Sequence, residues 1–259
     1  MENEEELIKK VKKDPFYIRF IENPSEEVQM EAIKENGYAI RYIFNPSEEV
    51  QMAAIKKDGN LIQYIENPSE KIQLAAVREN GLTIEYIKNP TEEVQLAAVK
   101  ENGFAIEYIK NPTEEMKLAA VKNDGCTIQY IENPTEEMEL EAVKTHWFAI
   151  EYIKSPSEEV QLEAVKQNWY ALKIIKKPTK KVQLTAIAQN SNAISIINDP
   201  SEDVQLAAVK QKASSIYFIK NPTEKVIQAA ILNGAEKEDL RFVDINNLSD
   251  ETKLMIELL

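Results

Sequence analysis

The feature that most constrains this chain is a repeat of 22 residues. The run Asn23-Pro24-Ser25-Glu26-Glu27-Val28 returns 22 residues later as Asn45-Pro46-Ser47-Glu48-Glu49-Val50. The same run then continues at the same step, led in turn by Asn67, Asn89, Asn111, Asn133, Ser155, Lys177, Asp199 and Asn221. A repeat of this length is typical of solenoids, in which each unit is one supersecondary element that packs on its neighbours.

The two ends of the chain follow the repeat less closely. Residues 1–22 keep its phase, since Phe16 and Ile18 stand where the next unit has Tyr38 and Ile40. The register breaks after Leu232, and residues 249–254 then resemble one more first helix. We therefore expect one continuous domain with an N-terminal cap (residues 1–22), ten central units (23–232) and an irregular C-terminal cap (233–259).

The start of each unit predicts an α-helix. In the unit that begins at Asn89, that residue can cap a helix whose first position is Pro90, and Glu92 can complete a capping box. Thr91 is an alternative cap, which would start the helix two residues later. The apolar residues that follow cover a wide arc of the helix, so the helix is expected to pack on both flanks.

The end of each unit predicts a corner and a short second helix. Gly103 is expected to take a left-handed conformation after the last helical turn, as glycine often does there. Residues 104–110 then form about two helical turns, too few to be stable alone in water. The predicted fold is all-α: a right-handed α-solenoid of 22-residue helix-turn-short-helix repeats.

The run from Val94 to Tyr108, VQLAAVKENGFAIEY, resembles the repeats of domain of unknown function 4116. The Asn-Pro start is more distantly similar to leucine-rich-variant and HEAT-type repeats. The resemblance implies an α-solenoid without a catalytic motif, and it carries over no functional residue. Since such repeats occur in bacterial and viral proteins, it also implies a phage- or mobile-element-encoded protein that occludes a host factor.

Composition narrows the class of function. The formal net charge is -13, which disfavours general nucleic-acid binding because that needs clustered Lys and Arg. No apolar run is long enough to span a membrane, and the acidic N-terminus lacks the pattern of a signal peptide. With one cysteine, Cys126, the chain is expected to be cytoplasmic.

Catalytic and metal-binding patterns are missing from the sequence. A single histidine, His146, and a single cysteine cannot form a His/Cys metal site or a recognisable nucleophile constellation. The glycines stand singly rather than in a phosphate-binding loop. We therefore expect no enzyme activity, no cofactor and no metal.

Aromatic residues interrupt the repeat at the corner. The corner glycine of the earlier units becomes Trp147 and then Trp169, each followed by a second aromatic residue, Phe148 or Tyr170, and the first is preceded by His146. Tryptophan is strained in a left-handed conformation, so this corner is expected to be rebuilt. Aromatic residues at an exposed edge are typical binding anchors, although they can also fill space left by a changed hairpin angle.

Lysines interrupt the repeat in the following unit. Lys180 and Lys181 replace the usual glutamate pair at the start of the long helix, and Lys173, Lys176 and Lys177 lie close before them. They could meet an anionic partner, or they could be balanced by the acidic residues at matching positions of the flanking units. Those residues are Glu158, Glu159, Glu202 and Asp203.

The outward positions of the short helix also vary over a constant frame, as in repeat proteins that present a binding surface. These departures predict a non-enzymatic scaffold that binds a macromolecular partner, most simply a protein. The alternative is a nucleotide- or nucleic-acid-related binder or a ligand sink, in which the Trp147/Trp169 edge stacks a base and the lysines from Lys173 to Lys181 hold phosphate. The sequence leaves the oligomeric state open.

Overall fold

A computed structural model describes residues 3–259, and within that range every regular element is a helix. The chain divides into two compact units, residues 1–132 (unit 1) and residues 133–259 (unit 2). The division falls between two repeats, just before Asn133. Each unit is an α-solenoid in which an α-helix alternates with a short second helix, as the repeat predicts, and the second helix is 3₁₀ rather than α.

Unit 1 contains the first six pairs of helices. Its α-helices are α1 (Glu4–Lys13), α2 (Glu26–Glu35), α3 (Glu48–Ile55), α4 (Glu70–Glu79), α5 (Glu92–Glu101) and α6 (Glu114–Asn123). Its 3₁₀-helices are η1 (Pro15–Phe20), η2 (Gly37–Tyr42), η3 (Gly59–Tyr64), η4 (Gly81–Tyr86), η5 (Gly103–Tyr108) and η6 (Gly125–Tyr130).

Unit 2 continues the same alternation and ends irregularly. Its α-helices are α7 (Glu136–Thr145), α8 (Glu158–Gln167), α9 (Lys180–Gln189), α10 (Glu202–Gln211), α11 (Glu224–Leu232) and α12 (Asp250–Glu257). Its 3₁₀-helices are η7 (Trp147–Tyr152), η8 (Trp169–Lys173), η9 (Ser191–Ile196), η10 (Ala213–Phe218) and η11 (Lys237–Leu240). The extra first helix expected after residue 249 is confirmed as α12.

The long helices begin two residues later than an asparagine cap would place them. In α5 the cap is Thr91, whose side chain accepts a hydrogen bond from the backbone N–H of Val94. The assignment of Asn89 as cap and Pro90 as first helical residue is therefore wrong. The capping box is wrong as well, because Glu92 is then the first residue of the helix rather than the third.

The asparagine that leads the repeat has a different role, which is to turn the chain. Asn89 has a φ of 54°, and five other residues in this position share that left-handed conformation: Asn23, Asn45, Asn67, Asn133 and Asp199. Asparagine and aspartate tolerate this conformation better than most other residues because their short polar side chains can hydrogen-bond locally. The next residue is a proline in all six, and its fixed φ leads the chain into the N-cap.

The corner glycines are needed for close packing rather than for a left-handed backbone, which corrects the expectation for Gly103. Among the described glycines only Gly234 has a positive φ. A β-carbon on Gly81 would lie 2.4 Å from the carbonyl oxygen of Ala98 in the α-helix of the next repeat. Gly103 faces Ala120 in the same way at 2.7 Å.

The two tryptophans therefore do not rebuild the corner, as the sequence had suggested they must. The residue before η7, His146, has φ -143° and ψ 110°, close to the values of Asn102 before η5. Neither Trp147 nor Trp169 has a positive φ, so neither side chain meets the strain of a left-handed backbone. All five corner glycines lie in unit 1, whereas unit 2 has Trp147, Trp169, Ser191 and Ala213 in their place.

Hydrogen bonds between repeats supplement the apolar core. The core is built from recurring buried positions such as Val94, Ala98 and Val99 in α5. At the surface, the cap hydroxyl of one repeat donates to the first glutamate of the previous long helix, as Thr91 does to Glu70 at 2.6 Å. Equivalent bonds recur in both units: Ser69 to Glu48 and Thr223 to Glu202.

No helix among the described residues is both long enough and apolar enough to cross a membrane.

Candidate functional site

Open grooves recur between successive short helices, at the end where each 3₁₀-helix leads into the next loop. In unit 1 they include a cavity of about 650 Å³ beside Tyr64 and one of about 380 Å³ beside Tyr130. In unit 2 they include cavities of about 500, 420 and 650 Å³. Each groove combines recurring residues, such as Tyr64 and Pro68, with residues from the outward positions that vary between repeats, such as Gln63 and Glu66.

Two adjacent grooves of unit 2 form what we call the lysine groove. The first, of about 500 Å³, is lined by Lys154, Lys176 and Lys177. The second, of about 420 Å³, is lined by Lys173 together with Lys176 and Lys177. Because the same two lysines border both cavities, the two open beside each other around one positively charged loop.

The floor of the lysine groove is apolar. Ile150 and Ile153 line its first cavity, Ile197 lines its second, and Ile175 lines both. Tyr152, which is exposed, adds an aromatic wall to the first cavity. The groove can therefore hold an apolar side chain between charged groups that reach solvent.

The loop beneath these lysines differs from its counterparts. The helix η8 ends at Lys173, one residue early, and Ile174, the counterpart of Tyr152 in the preceding repeat, has φ -92° and ψ -36°. The N–H of Ile175 donates to the carbonyl oxygen of Ala171, four residues back, whereas the N–H of Ile153 donates to Ile150, three residues back. Lys177 stands in the position of the left-handed asparagine but has no positive φ. Asn111, Ser155 and Asn221 share this absence of a positive φ, so it is not peculiar to lysine.

Lys173 joins the groove to the aromatic corner. Its Nζ donates a hydrogen bond to Tyr170 Oη at 2.9 Å and lies 5.2 Å from the centre of the tyrosine ring. The hydrogen bond raises the pKa of Lys173 above its usual value, so the side chain is fully charged at neutral pH. Tyr170 thus fixes the direction of a cation at the edge of the groove.

Lys180 and Lys181 lie outside this groove, at the start of α9. Lys180 forms an ion pair with Asp203 of the next repeat, and the ammonium group lowers the pKa of that carboxyl. The charge of Lys180 is therefore balanced by Asp203 of the flanking repeat, which is one of the two outcomes expected from the sequence. Lys181 is exposed, but it lines none of the grooves described above.

The aromatic residues form a separate corner edge, which we define as His146, Trp147, Phe148, Trp169 and Tyr170. Each indole packs edge-on against the next aromatic ring, at centroid distances of 5.9 Å for Trp147–Phe148 and 5.5 Å for Trp169–Tyr170. The indoles are half-buried, whereas Phe148 and Tyr170 are 38% and 41% exposed. The second aromatic residue of each pair is therefore the more accessible one.

The structure thus divides the residues singled out by sequence into three places. His146, Trp147, Phe148, Trp169 and Tyr170 lie at the corner edge. Lys173, Lys176 and Lys177 line the lysine groove, with the Lys173–Tyr170 hydrogen bond between the two. Lys180 and Lys181 belong to the long-helix face.

Two residues of the groove were not singled out from sequence. Lys154 occupies the same repeat position as Lys176, but in the sequence it looks like any lysine of that variable row. Tyr152 belongs to the regular tyrosine series and carries no signal of its own. What distinguishes both is their position beside the loop of Lys176 and Lys177, which only the structure shows.

Phe44 was also missed as a candidate contact. It is 95% exposed, the most exposed of the large apolar side chains in the described range, and Phe20 of the preceding repeat is 67% exposed. Arg41 lies 5.2 Å from the ring of Tyr42 nearby. The available signal was that Phe44 is the one aromatic residue in its row of outward positions.

Cys126 is half-buried, and burial raises its pKa to about 11, with a further contribution from Asp124. The thiol is therefore protonated at neutral pH and a poor nucleophile there.

Comparison with protein-family models, with curated proteins and with solved structures finds no match to this chain.

Proposed function

We propose that this chain is a non-enzymatic scaffold that binds a protein partner along its short-helix surface. The observation that carries the proposal is the series of open grooves, whose walls include side chains that vary between repeats on an invariant helical frame. This arrangement is how solenoid proteins present extended binding surfaces. In a cell such a protein would act by occluding its partner or by holding it in place.

Unit 2 supplies the principal contact in this proposal. It combines the half-buried indoles and exposed rings of the corner edge with the cations of the lysine groove. Aromatic anchors contribute most of the binding energy in many protein interfaces, and charged residues add specificity and speed of association. The hydrogen bond between Lys173 and Tyr170 gives the two parts a common edge.

The corner edge is tested by replacing both indoles. Affinity capture from the source organism, followed by purification of the captured protein, provides a partner whose dissociation constant can be measured by calorimetry. We expect Trp147→Ala with Trp169→Ala to weaken that binding at least tenfold, because an anchoring aromatic residue contributes about 2 kcal/mol or more.

The matched control for the corner edge is Tyr38→Ala with Phe104→Ala, which removes two aromatic rings from the equivalent corners in unit 1. Thermal melting of both variants separates a loss of contact from a loss of folding. An unchanged dissociation constant for the folded tryptophan variant would show that the corner edge is not the contact.

A further inference from the structure

The lysine groove is distinguished from the other grooves by its charge. Its walls carry four lysines, Lys154, Lys173, Lys176 and Lys177, and one carboxylate, Glu151, which gives 4 - 1 = +3. The groove beside Tyr64 has Glu66 against Lys88 and therefore no net charge. The groove beside Phe218 is balanced in the same way by Asp199 and Lys220.

The surrounding sequence leaves this charge uncompensated. Between Glu163 and Asp199 the chain has no acidic residue and six lysines: Lys166, Lys173, Lys176, Lys177, Lys180 and Lys181. Within the described residues, Lys154, Lys176 and Lys177 have no carboxylate in ion-pair distance, whereas Lys180 has Asp203. The net charge of -13 does not cancel this local field, because exposed charges more than about 8 Å away are largely screened at physiological salt.

The spacing of the lysines sets the form of a complementary ligand. Lys154 and Lys176 occupy the same position in consecutive repeats, and neighbouring packed helices lie roughly 8–10 Å apart. An extended peptide in the polyproline II conformation advances about 3.1 Å per residue with three residues per turn, so residues three apart lie on the same side, roughly one repeat spacing apart. Two carboxylates three residues apart would therefore face these two lysines at once.

We propose that the lysine groove binds an extended acidic segment of a protein, with a Glu or Asp at every third residue and an apolar side chain between them. The carboxylates pair with Lys154 and Lys176, and Lys173 and Lys177 border the same path. The apolar side chain lies over Ile175 beside Tyr152. This assignment rests on the proposed function, since it names the chemistry of the partner at one part of the scaffold.

A nucleic acid fits the groove less well than a short acidic segment. Glu158 and Glu159 begin the helix that follows Lys154, and Glu202 and Asp203 begin the helix after α9. A long polyanion gains affinity from each phosphate that it neutralises, and these neighbouring helix starts offer carboxylates rather than further cations. A segment that spans two repeats stays within the positive region.

The test uses the full chain and fluorescence anisotropy with short labelled peptides. One peptide has two glutamates three residues apart with leucine between them; its isomer has the same composition with the glutamates adjacent. A single-stranded oligonucleotide is the third probe. We expect the spaced peptide to bind at least tenfold more tightly than its isomer and more tightly than the oligonucleotide.

Charge reversal then locates the site. K176E with K177E is expected to weaken binding of the spaced peptide at least tenfold. K210E with K212E changes the same charge at exposed lysines that line none of these grooves, and it is expected to leave binding within twofold. All four lysines are exposed, and K176Q with K177Q, which removes charge without reversing it, is expected to give an intermediate loss.

Three results with these probes would overturn the assignment. They are equal binding of the two isomeric peptides, tighter binding of the oligonucleotide than of the spaced peptide, and unchanged peptide binding by K176E with K177E. A captured partner that needs Trp147 and Trp169 but tolerates K176E with K177E would also overturn it. That last result would leave the scaffold itself supported, so the two proposals fail separately.

Discussion

At the scale of single residues, the backbone constrains Gly81 by a close approach between repeats and Asn89 by a left-handed turn. A glycine after a helix usually indicates a left-handed turn, and that expectation was wrong here. The backbone at Gly81 passes close to the carbonyl oxygen of Ala98 in the next repeat. Local sequence patterns do not reveal such a contact between repeats. The left-handed residue is instead Asn89, whose place before a proline made it look like a cap.

Gly81→Ala tests the close approach. The added methyl group would lie 2.4 Å from a backbone oxygen that is fixed in α5, so the two repeats must separate. We expect the free energy of unfolding to fall by about 1–3 kcal/mol, the usual cost of overpacking. Gly37→Ala is the matched control, because its nearest obstacle is the end of the flexible Leu61 side chain. Urea unfolding of both variants should give the smaller loss for Gly37→Ala.

At the scale of elements, the order of long and short helices follows from the sequence, while their exact starts depend on which hydroxyl caps them. The unit at Asn89 offered two caps, and propensity could not choose between them. Thr91 is the cap in the structure, and its hydroxyl also donates to Glu70 of the previous repeat. This second bond joins neighbouring repeats, so it cannot be predicted from the sequence of one helix alone.

Thr91→Ala tests this double role. It removes both the cap of α5 and the hydrogen bond to Glu70. The control is Thr113→Ala, which removes the cap of α6. The Thr113 hydroxyl accepts from the N–H of Met116 and makes no bond to the described residues of the previous repeat. A lost cap costs about 1 kcal/mol. Thr91→Ala should cost roughly 0.5 kcal/mol more than that, the lower value for a net hydrogen bond. Equal losses of unfolding free energy in urea would mean that the bond between repeats contributes nothing.

The candidate site shows a similar limit at the element scale. The reversed charge near Lys177 is plain in the sequence, and so is the pair of tryptophans. Lys176 and Lys177 share a groove with Lys154 and not with Trp147. The reason is that the groove lies at the end of each short helix, whereas the tryptophans lie at its start. The repeat gave the order of the positions along each helix, and the packing of successive helices then decided which of them meet.

At the scale of the whole molecule, packing within each unit joins a repeat to the repeats beside it. In unit 1, α5 packs against α4 and α6, and α2 packs against α1 and α3. The stability of such an array is approximately a sum of local terms and neighbour terms. This property follows from the 22-residue period itself, which is why the fold class was the part of the structure that could be predicted best.

Val94→Ala tests this locality. Val94 is fully buried in α5, and removing two methyl groups should cost on the order of 2 kcal/mol. We expect faster amide hydrogen exchange in α4, α5 and α6, with no change in α1, because the loss is shared only with adjacent repeats. Val28→Ala, at the same repeat position in α2 and equally buried, should shift the faster exchange to α1, α2 and α3. If either variant speeds exchange evenly through unit 1, that unit folds as one cooperative core rather than as an array.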